Sequence, residues 1–75
     1  MIAVVEDEKE LCESLKMLLT EKGYEIVTAR SCDEADKYIG NPQIDMFLLD
    51  VKLPDGNGFD ICRKIRKSSE VPVIF

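Results

Sequence analysis

Four short runs with strand-like composition lie along the chain and predict four β-strands. They cover residues 2–5, 24–29, 44–49 and 71–75. The third run is apolar at nearly every position, which is typical of a strand that is buried on both faces of a sheet. Segments with helix signals separate the runs, so the pattern predicts β-α-β-α-β-α-β in a single unit with a parallel sheet.

The three intervening segments carry those helix signals. In the first, leucines recur at the spacing of one helix face, and Gly23 is expected to end the helix. In the second, Ser31 and Glu34 have the spacing of a capping box. The third is expected to place three apolar residues on one side: Phe59, Cys62 and Ile65.

Right-handed crossovers determine which face of a parallel sheet each helix covers. With the spatial strand order 2-1-3-4, the first helix lies on one face of the sheet and the other two helices lie on the opposite face. One face of the third and fourth strands is then bare, although their residues are apolar in both directions. The fourth strand is also an open edge. We therefore expect a further surface to cover this region, most simply that of a second copy in a two-fold homodimer.

The net charge of -5 at pH 7 argues against a nucleic-acid-binding surface, because such surfaces present clustered Lys and Arg. The basic residues that do cluster are interpreted as a solvated last turn of the third helix, where the helix dipole favours cations. They are Arg63, Lys64, Arg66 and Lys67.

No apolar run is long enough to span a membrane and no signal peptide precedes the first strand, so a cytoplasmic location is expected. Cys12, Cys32 and Cys62 form no CxxC pair, and the chain has no His. They are interpreted as reduced, partly buried thiols rather than as zinc ligands or disulfide partners.

Three carboxylates follow the two strands that are expected to be central. Glu6 and Asp7 follow the first strand, and Asp50 ends the third. The crevice of a doubly wound sheet lies at the carboxyl ends of such strands, so the three groups are expected to converge. Like charges at close range repel unless a cation joins them, and Mg²⁺ prefers this kind of oxygen site. In the simpler alternatives, Glu6 and Asp7 only stabilise the start of a helix and Asp50 only forms a turn.

A carboxylate beside Mg²⁺ can also act as a nucleophile toward a phosphoryl donor and form an acyl phosphate. Since the chain has no His, a phosphohistidine donor would have to be another molecule.

The stretches "VVEDE", "LLDVKLPDGNG" and "VPVIF" resemble the receiver domain of two-component response regulators. Asp50, Pro54 and Gly58 fit the D-x-x-x-P-x-x-x-G spacing of its turn after the third strand. The resemblance implies a flavodoxin-like doubly wound α/β fold and a phosphoacceptor signalling domain rather than an enzyme. It further implies that Asp50 accepts phosphate from a sensor histidine kinase and that Mg²⁺ is the cofactor. The implied metal ligands are Glu6, Asp7, Asp50 and the backbone carbonyl of Lys52.

The resemblance covers all 75 residues, but the family's receivers are longer. Residues 1–75 are therefore expected to be the N-terminal part of a receiver domain, truncated after the fourth strand. The family's phosphate-sensing Ser or Thr after strand four and its Lys after strand five have no counterpart in these residues. Impaired switching is the expected consequence.

A second reading of a different class stays open, in which the chain is a non-signalling half-receiver that serves as an assembly module and folds as a homodimer. Two further classes are disfavoured. A haloacid-dehalogenase-type phosphatase would need a second Asp where Lys52 stands. A flavin carrier would need a phosphate cradle after the first strand, where the acidic "EDEKE" would repel the phosphate.

Overall fold

The computed structural model describes residues 1–75 and contains six strands and three helices. The main elements are β1 (Ile2–Val5), α1 (Lys9–Glu21), β2 (Ile26–Ala29), α2 (Cys32–Asp36), β3 (Met46–Leu49), α3 (Gly58–Arg66) and β6 (Val73–Ile74). A two-stranded hairpin, β4 (Lys52–Leu53) and β5 (Gly56–Asn57), lies between β3 and α3. The four strand-like runs of the sequence thus correspond to β1, β2, β3 and β6, and the structure shortens the last three of them.

The four predicted strands form one parallel sheet in the order β2-β1-β3-β6. This confirms the predicted order 2-1-3-4 and the doubly wound parallel arrangement. β1 and β3 are neighbours in register, with Val5 opposite Leu49. The sheet therefore delivers the residues that follow these two strands to the same place on its carboxyl edge.

Two apolar cores lie on opposite faces of the sheet, as the crossover rule predicts. Ile2 and Val4 pack with Cys12 of α1 on one face. The larger core contains Ala3 and Val5 on the other face and includes residues of α2 and α3. β1 alternates between the two cores and is buried along its whole length. The end of β1 is consequently a rigid platform for the residues that follow it.

The face of α3 that packs on the sheet differs from the prediction. Ile61 and Ile65 are both 1% exposed, whereas Phe59 is 50% exposed and Cys62 only borders the core. The helix begins at Gly58, and residues four positions apart share a face, so Ile61 and Ile65 point inward together. The expectation for Ile65 was right, and that for Phe59 was wrong.

The predicted end of α1 and the predicted start of α2 are largely confirmed. Gly23 follows the C-cap of α1 with a φ of 95°, a left-handed conformation that favours glycine. The Ser31 hydroxyl accepts the N–H of Glu34 at 3.1 Å, as in a capping box. The reciprocal contact differs, because the Glu34 carboxylate accepts the N–H of Arg30 at 3.4 Å.

The hairpin is tied to the start of α2 by Asp55. Its carboxylate accepts the N–H of Cys32 at 2.7 Å and that of Asp33 at 3.0 Å. N–H groups at a helix N-terminus have no partner within the helix. Their hydrogen bonds to Asp55 lower the pKa of its carboxyl group, and the bond from Cys32 contributes most. Asp55 therefore caps a helix about twenty residues earlier in the sequence.

We expect Asp55→Asn to lower the midpoint of urea unfolding at pH 7. Because the pKa of Asp55 is depressed in the folded state, its stabilising effect is present above the unfolded pKa of about 4 and is lost as the pH falls through the folded value. The difference between wild type and variant should therefore shrink as the pH drops below about 4. Glu21→Gln, which removes an exposed carboxylate elsewhere, is the control. A difference that does not change with pH would contradict this role.

None of the helices combines the length and apolar character that crossing a membrane requires.

Candidate metal centre

Backbone hydrogen bonds fix the positions of the predicted acidic residues. The N–H of Asp50 donates to the carbonyl of Val5 at 2.9 Å, which extends the pairing of β3 with β1 by one residue. The N–H of Glu6 donates to the carbonyl of Ala29 at 3.0 Å, at the end of β2. Both residues therefore sit on the continuation of a buried sheet rather than on a free loop.

The structure brings the three predicted carboxylates together. One carboxylate oxygen from each of Glu6, Asp7 and Asp50 lies within 4.8 Å of the others. Glu6 and Asp50 are half-buried and Asp7 is exposed, so the cluster opens to solvent on one side. The group therefore offers three carboxylate oxygens to one point at the rim of the sheet.

Burial and mutual repulsion disfavour the ionised form of the carboxylates in the cluster. Partial burial raises the pKa of Glu6, and the nearby charge of Asp50 raises it further, while the N–H of Glu8 opposes the shift by donating to Glu6 at 3.1 Å. Since the folded pKa of Glu6 is raised, ionising it costs stability as the pH rises through that pKa. A bound cation would remove this cost by favouring the ionised form.

The chemistry of the donor set fits Mg²⁺. All three side chains offer hard carboxylate oxygens, and no His or Cys belongs to the cluster. Mg²⁺ commonly takes one or two carboxylates and completes its octahedron with water and phosphate oxygens, which an exposed rim permits.

The alternative in which Glu6 and Asp7 only cap the first helix receives no support from the hydrogen bonds. α1 begins at Lys9, and its N-cap residue, Glu8, makes no side-chain capping bond. The Glu6 carboxylate accepts the N–H of Glu8, which precedes the helix. Neither side chain therefore caps α1 by a hydrogen bond to a residue within the helix.

Lys52 lies two residues beyond Asp50 in β4, with an exposed side chain. It pairs with Asn57 across the hairpin, whose two short strands the sequence pattern did not predict. Its ammonium forms no ion pair with the carboxylates of the cluster. A metal contact through its backbone carbonyl stays a prediction.

The start of α3 lies against the backbone of Asp50 and Val51. The N–H of Gly58 donates to the carbonyl of Val51 at 2.8 Å, and the Asn57 side chain caps the helix by accepting the N–H of Asp60 at 3.0 Å. A Cβ atom on Gly58 would lie less than 3.0 Å from the backbone oxygen of Asp50. The glycine is therefore required by close backbone approach, not by its φ angle.

An apolar groove of about 290 Å³ adjoins Glu6 and Asp50 on the α1 side of the sheet. Leu15, Leu48 and Ile74 line it, together with Phe75. Ile74 is 49% exposed although it belongs to β6, so the face predicted to be bare is open in this structure. β6 pairs with β3 alone and forms an edge of the sheet.

Two groups near the site were not anticipated from the sequence. Arg30 donates from Nε to the backbone carbonyl of Asp7 at 3.0 Å, and Asp55 anchors the hairpin that follows Asp50. Neither contact has a spacing signature, because each joins residues that are brought together by the sheet order. The available signal for a tight hairpin turn was Pro54 followed by Gly56, because Pro is favoured at the second position and Gly at the fourth position of a type I turn.

Comparison with known proteins identifies a consistent set of relatives. The family model described as "Response regulator receiver domain" matches residues 2–75. An uncharacterised transcriptional regulatory protein of Bacillus subtilis, YrkP, is 38% identical over 74 residues, which are 99% of this chain and 32% of that protein. The chain thus spans about a third of the length of this relative.

Solved structures give the same result. The non-phosphorylated receiver domain of HemR from Leptospira biflexa matches with a TM-score of 0.91 and 37% identity, over 96% of this chain and 59% of that one. The response regulator TrrA of Thermotoga maritima, solved in complex with Mg²⁺ and BeF, matches with a TM-score of 0.87 and 37% identity, over 96% of this chain and 64% of that one.

Proposed function

The chain belongs to the response regulator receiver domain family, and from this premise we propose that it is a phosphoacceptor domain in which Asp50 receives a phosphoryl group. We take residues 1–75 to form the N-terminal part of such a domain, with a flavodoxin-like α/β fold. The observation that carries the proposal is the convergence of Glu6, Asp7 and Asp50 within 4.8 Å at the carboxyl edge of the sheet.

Asp50 has the placement that a nucleophile needs. Its backbone is held by the hydrogen bond to Val5, and its side chain is half-buried at the rim of the site. A carboxylate oxygen attacks the phosphorus of the donor, and a new O–P bond forms while the bond to the donor's leaving group breaks. The leaving group departs with the electron pair of that bond, and the product is an acyl phosphate on Asp50.

Glu6, Asp7 and Asp50 are the side chains that would hold Mg²⁺, with the carbonyl of Lys52 as a further ligand. When bound, Mg²⁺ supplies charge neutralisation for the oxygens of the transferred group. The acidic residues also orient the attacking carboxylate, because their mutual placement is fixed by β1 and β3. Glu6 and Asp7 are thus binding residues, and Asp50 has both roles.

The expected partners follow from the family. A sensor histidine kinase would supply the phosphoryl group in the cytoplasm. The net charge of -5 gives no reason to expect that these residues bind nucleic acid. The proposed role is that of a signalling domain rather than an enzyme with turnover.

We expect Mg²⁺ to bind the wild-type chain and to bind Asp7→Ala at least about tenfold more weakly, a difference of about 1.4 kcal/mol. Asp7 is exposed, so its replacement removes a ligand without opening a core cavity. Isothermal titration calorimetry, or a titration followed by backbone amide NMR shifts, measures the affinity. Glu21→Ala removes an equal charge far from the site and should bind as the wild type does. Equal affinity of Asp7→Ala and wild type would remove Asp7 from the metal site.

A second candidate function, assembly as a homodimer, is favoured by the open groove. Ile74 and Phe75 are 49% and 54% exposed, and Leu15 and Leu48 line the same groove. Apolar surface of this kind on a small chain is stabilised when a second copy covers it. The dimer would join the bare faces or the β6 edges about a two-fold axis.

Size-exclusion chromatography with light scattering tests this assembly. We expect a dimer at micromolar concentration for wild type and a monomer for Ile74→Glu, because the new carboxylate would be buried without a partner at the interface. Met17→Glu is the matched control, since Met17 is 66% exposed on α1 and does not line the groove. A well-folded wild-type monomer would exclude the dimer.

A further inference from the structure

Arg30 has no role in the proposed function, but it forms a hydrogen bond to the turn that carries Asp7. Arg30, the residue after β2, donates from Nε to the backbone carbonyl of Asp7 at 3.0 Å. The preceding residue, Ala29, accepts the N–H of Glu6 at 3.0 Å. Two consecutive residues at the end of β2 therefore hold the two consecutive acidic residues at the end of β1.

The hydrogen bond from Arg30 acts where repulsion among the three carboxylates would move Asp7. Three carboxylates that lie within 4.8 Å of one another repel, and the metal-free chain lowers that repulsion if one of them swings away. Asp7 is the member able to do so, because it is the exposed one and lies in the loop between β1 and α1. A hydrogen bond to its carbonyl opposes that movement.

We propose that Arg30 is a positioning residue, which holds the Asp7 turn in the arrangement that binds the metal. The inference rests on the proposed function, because it needs Glu6, Asp7 and Asp50 to be the metal site. Arg30 acts through the backbone of Asp7 and touches no ligand oxygen in this structure. It preorganises the site, and its effect is measured as metal affinity.

The charge of Arg30 gives a second effect of opposite sign. A guanidinium near a cation site repels the cation, so removing the charge alone should tighten Mg²⁺ binding. Removing the hydrogen bond alone should weaken it. The direction of the change in Arg30→Ala therefore shows which effect dominates.

The chain offers variants that separate the two effects. In Arg30→Gln, the side-chain amide nitrogen occupies the same position along the side chain as the Nε of arginine, so the donor is kept and the charge is lost. Lys16 borders the same small cleft as Arg30, with a volume of about 200 Å³. Lys16→Ala thus removes one positive charge from this surface without touching Asp7.

The experiment is a Mg²⁺ titration of wild type, Arg30→Ala, Arg30→Gln and Lys16→Ala, with urea unfolding of each metal-free protein to confirm that it is folded. We expect the dissociation constant to rise about tenfold or slightly less in Arg30→Ala. Arg30→Gln should bind within about twofold of wild type or tighter, and Lys16→Ala should not weaken binding. Rescue by glutamine would not follow from a merely structural role of the arginine side chain.

The inference is overturned, with the metal site left intact, if Arg30→Ala and Arg30→Gln bind Mg²⁺ with equal affinity, because the donor kept in Arg30→Gln would then contribute nothing. A wild-type protein that shows no saturable Mg²⁺ binding would instead refute the metal site itself, and the role of Arg30 with it.

Discussion

Incubation with acetyl phosphate and Mg²⁺ is expected to add one phosphoryl group to the wild-type chain and none to Asp50→Asn. The amide of asparagine keeps the shape of the side chain but lacks the anionic oxygen that attacks phosphorus. Asp50 follows a buried strand and its backbone hydrogen bond to Val5 does not involve the side chain, so the variant should keep the fold. Intact-mass spectrometry measures the adduct directly.

The controls distinguish phosphorylation of Asp50 from nonspecific acylation or phosphorylation elsewhere on the chain. Glu21→Gln carries the same carboxylate-to-amide change at an exposed position and should be modified as the wild type is. Chelation of Mg²⁺ should suppress the adduct, because the clustered carboxylates then repel an anionic donor. An adduct of equal yield on Asp50→Asn would exclude Asp50 as the acceptor.

Absence of an adduct on a folded, Mg²⁺-binding wild type would favour the assembly reading over phosphotransfer. The oligomeric state of the chain then becomes the informative measurement, since Ile74 and Phe75 present an open apolar surface in the 75-residue chain.

The sheet and its helices were predictable because they depend on local patterns and one handedness rule. The apolar run at residues 2–5 became β1 without change, and the right-handed crossovers placed α1 on one face and α2 and α3 on the other. The convergence of Glu6, Asp7 and Asp50 followed from the strand order alone. What the sequence could not assign is their chemistry, which needs a metal titration and a phosphoryl donor.

The features that sequence reasoning missed depend on contacts between distant residues. The Asp55 cap on α2 and the Arg30 bond to Asp7 each join groups more than twenty positions apart. No periodicity signals such a contact, and both residues read as ordinary exposed charges. The misassigned face of α3 has a different cause: the prediction left out Ile61, which lies four positions before Ile65 and shares its buried face.

Gly58→Ala is expected to destabilise the chain by about 2 kcal/mol or more, in the range that overpacking a closely packed site usually costs. Its Cβ would lie less than 3.0 Å from the backbone oxygen of Asp50, and that oxygen cannot move freely because β3 is fixed in the sheet. Relief of the clash must move the start of α3 or Asp50 itself, so Mg²⁺ affinity should fall together with the midpoint of urea unfolding. Gly56→Ala is the matched control, since its Cβ would meet the movable side chain of Cys32 at 2.9 Å. A Gly58→Ala protein as stable as Gly56→Ala would show that the backbone near Asp50 yields to a methyl group, and the rigid placement of the acceptor carboxylate would then be wrong.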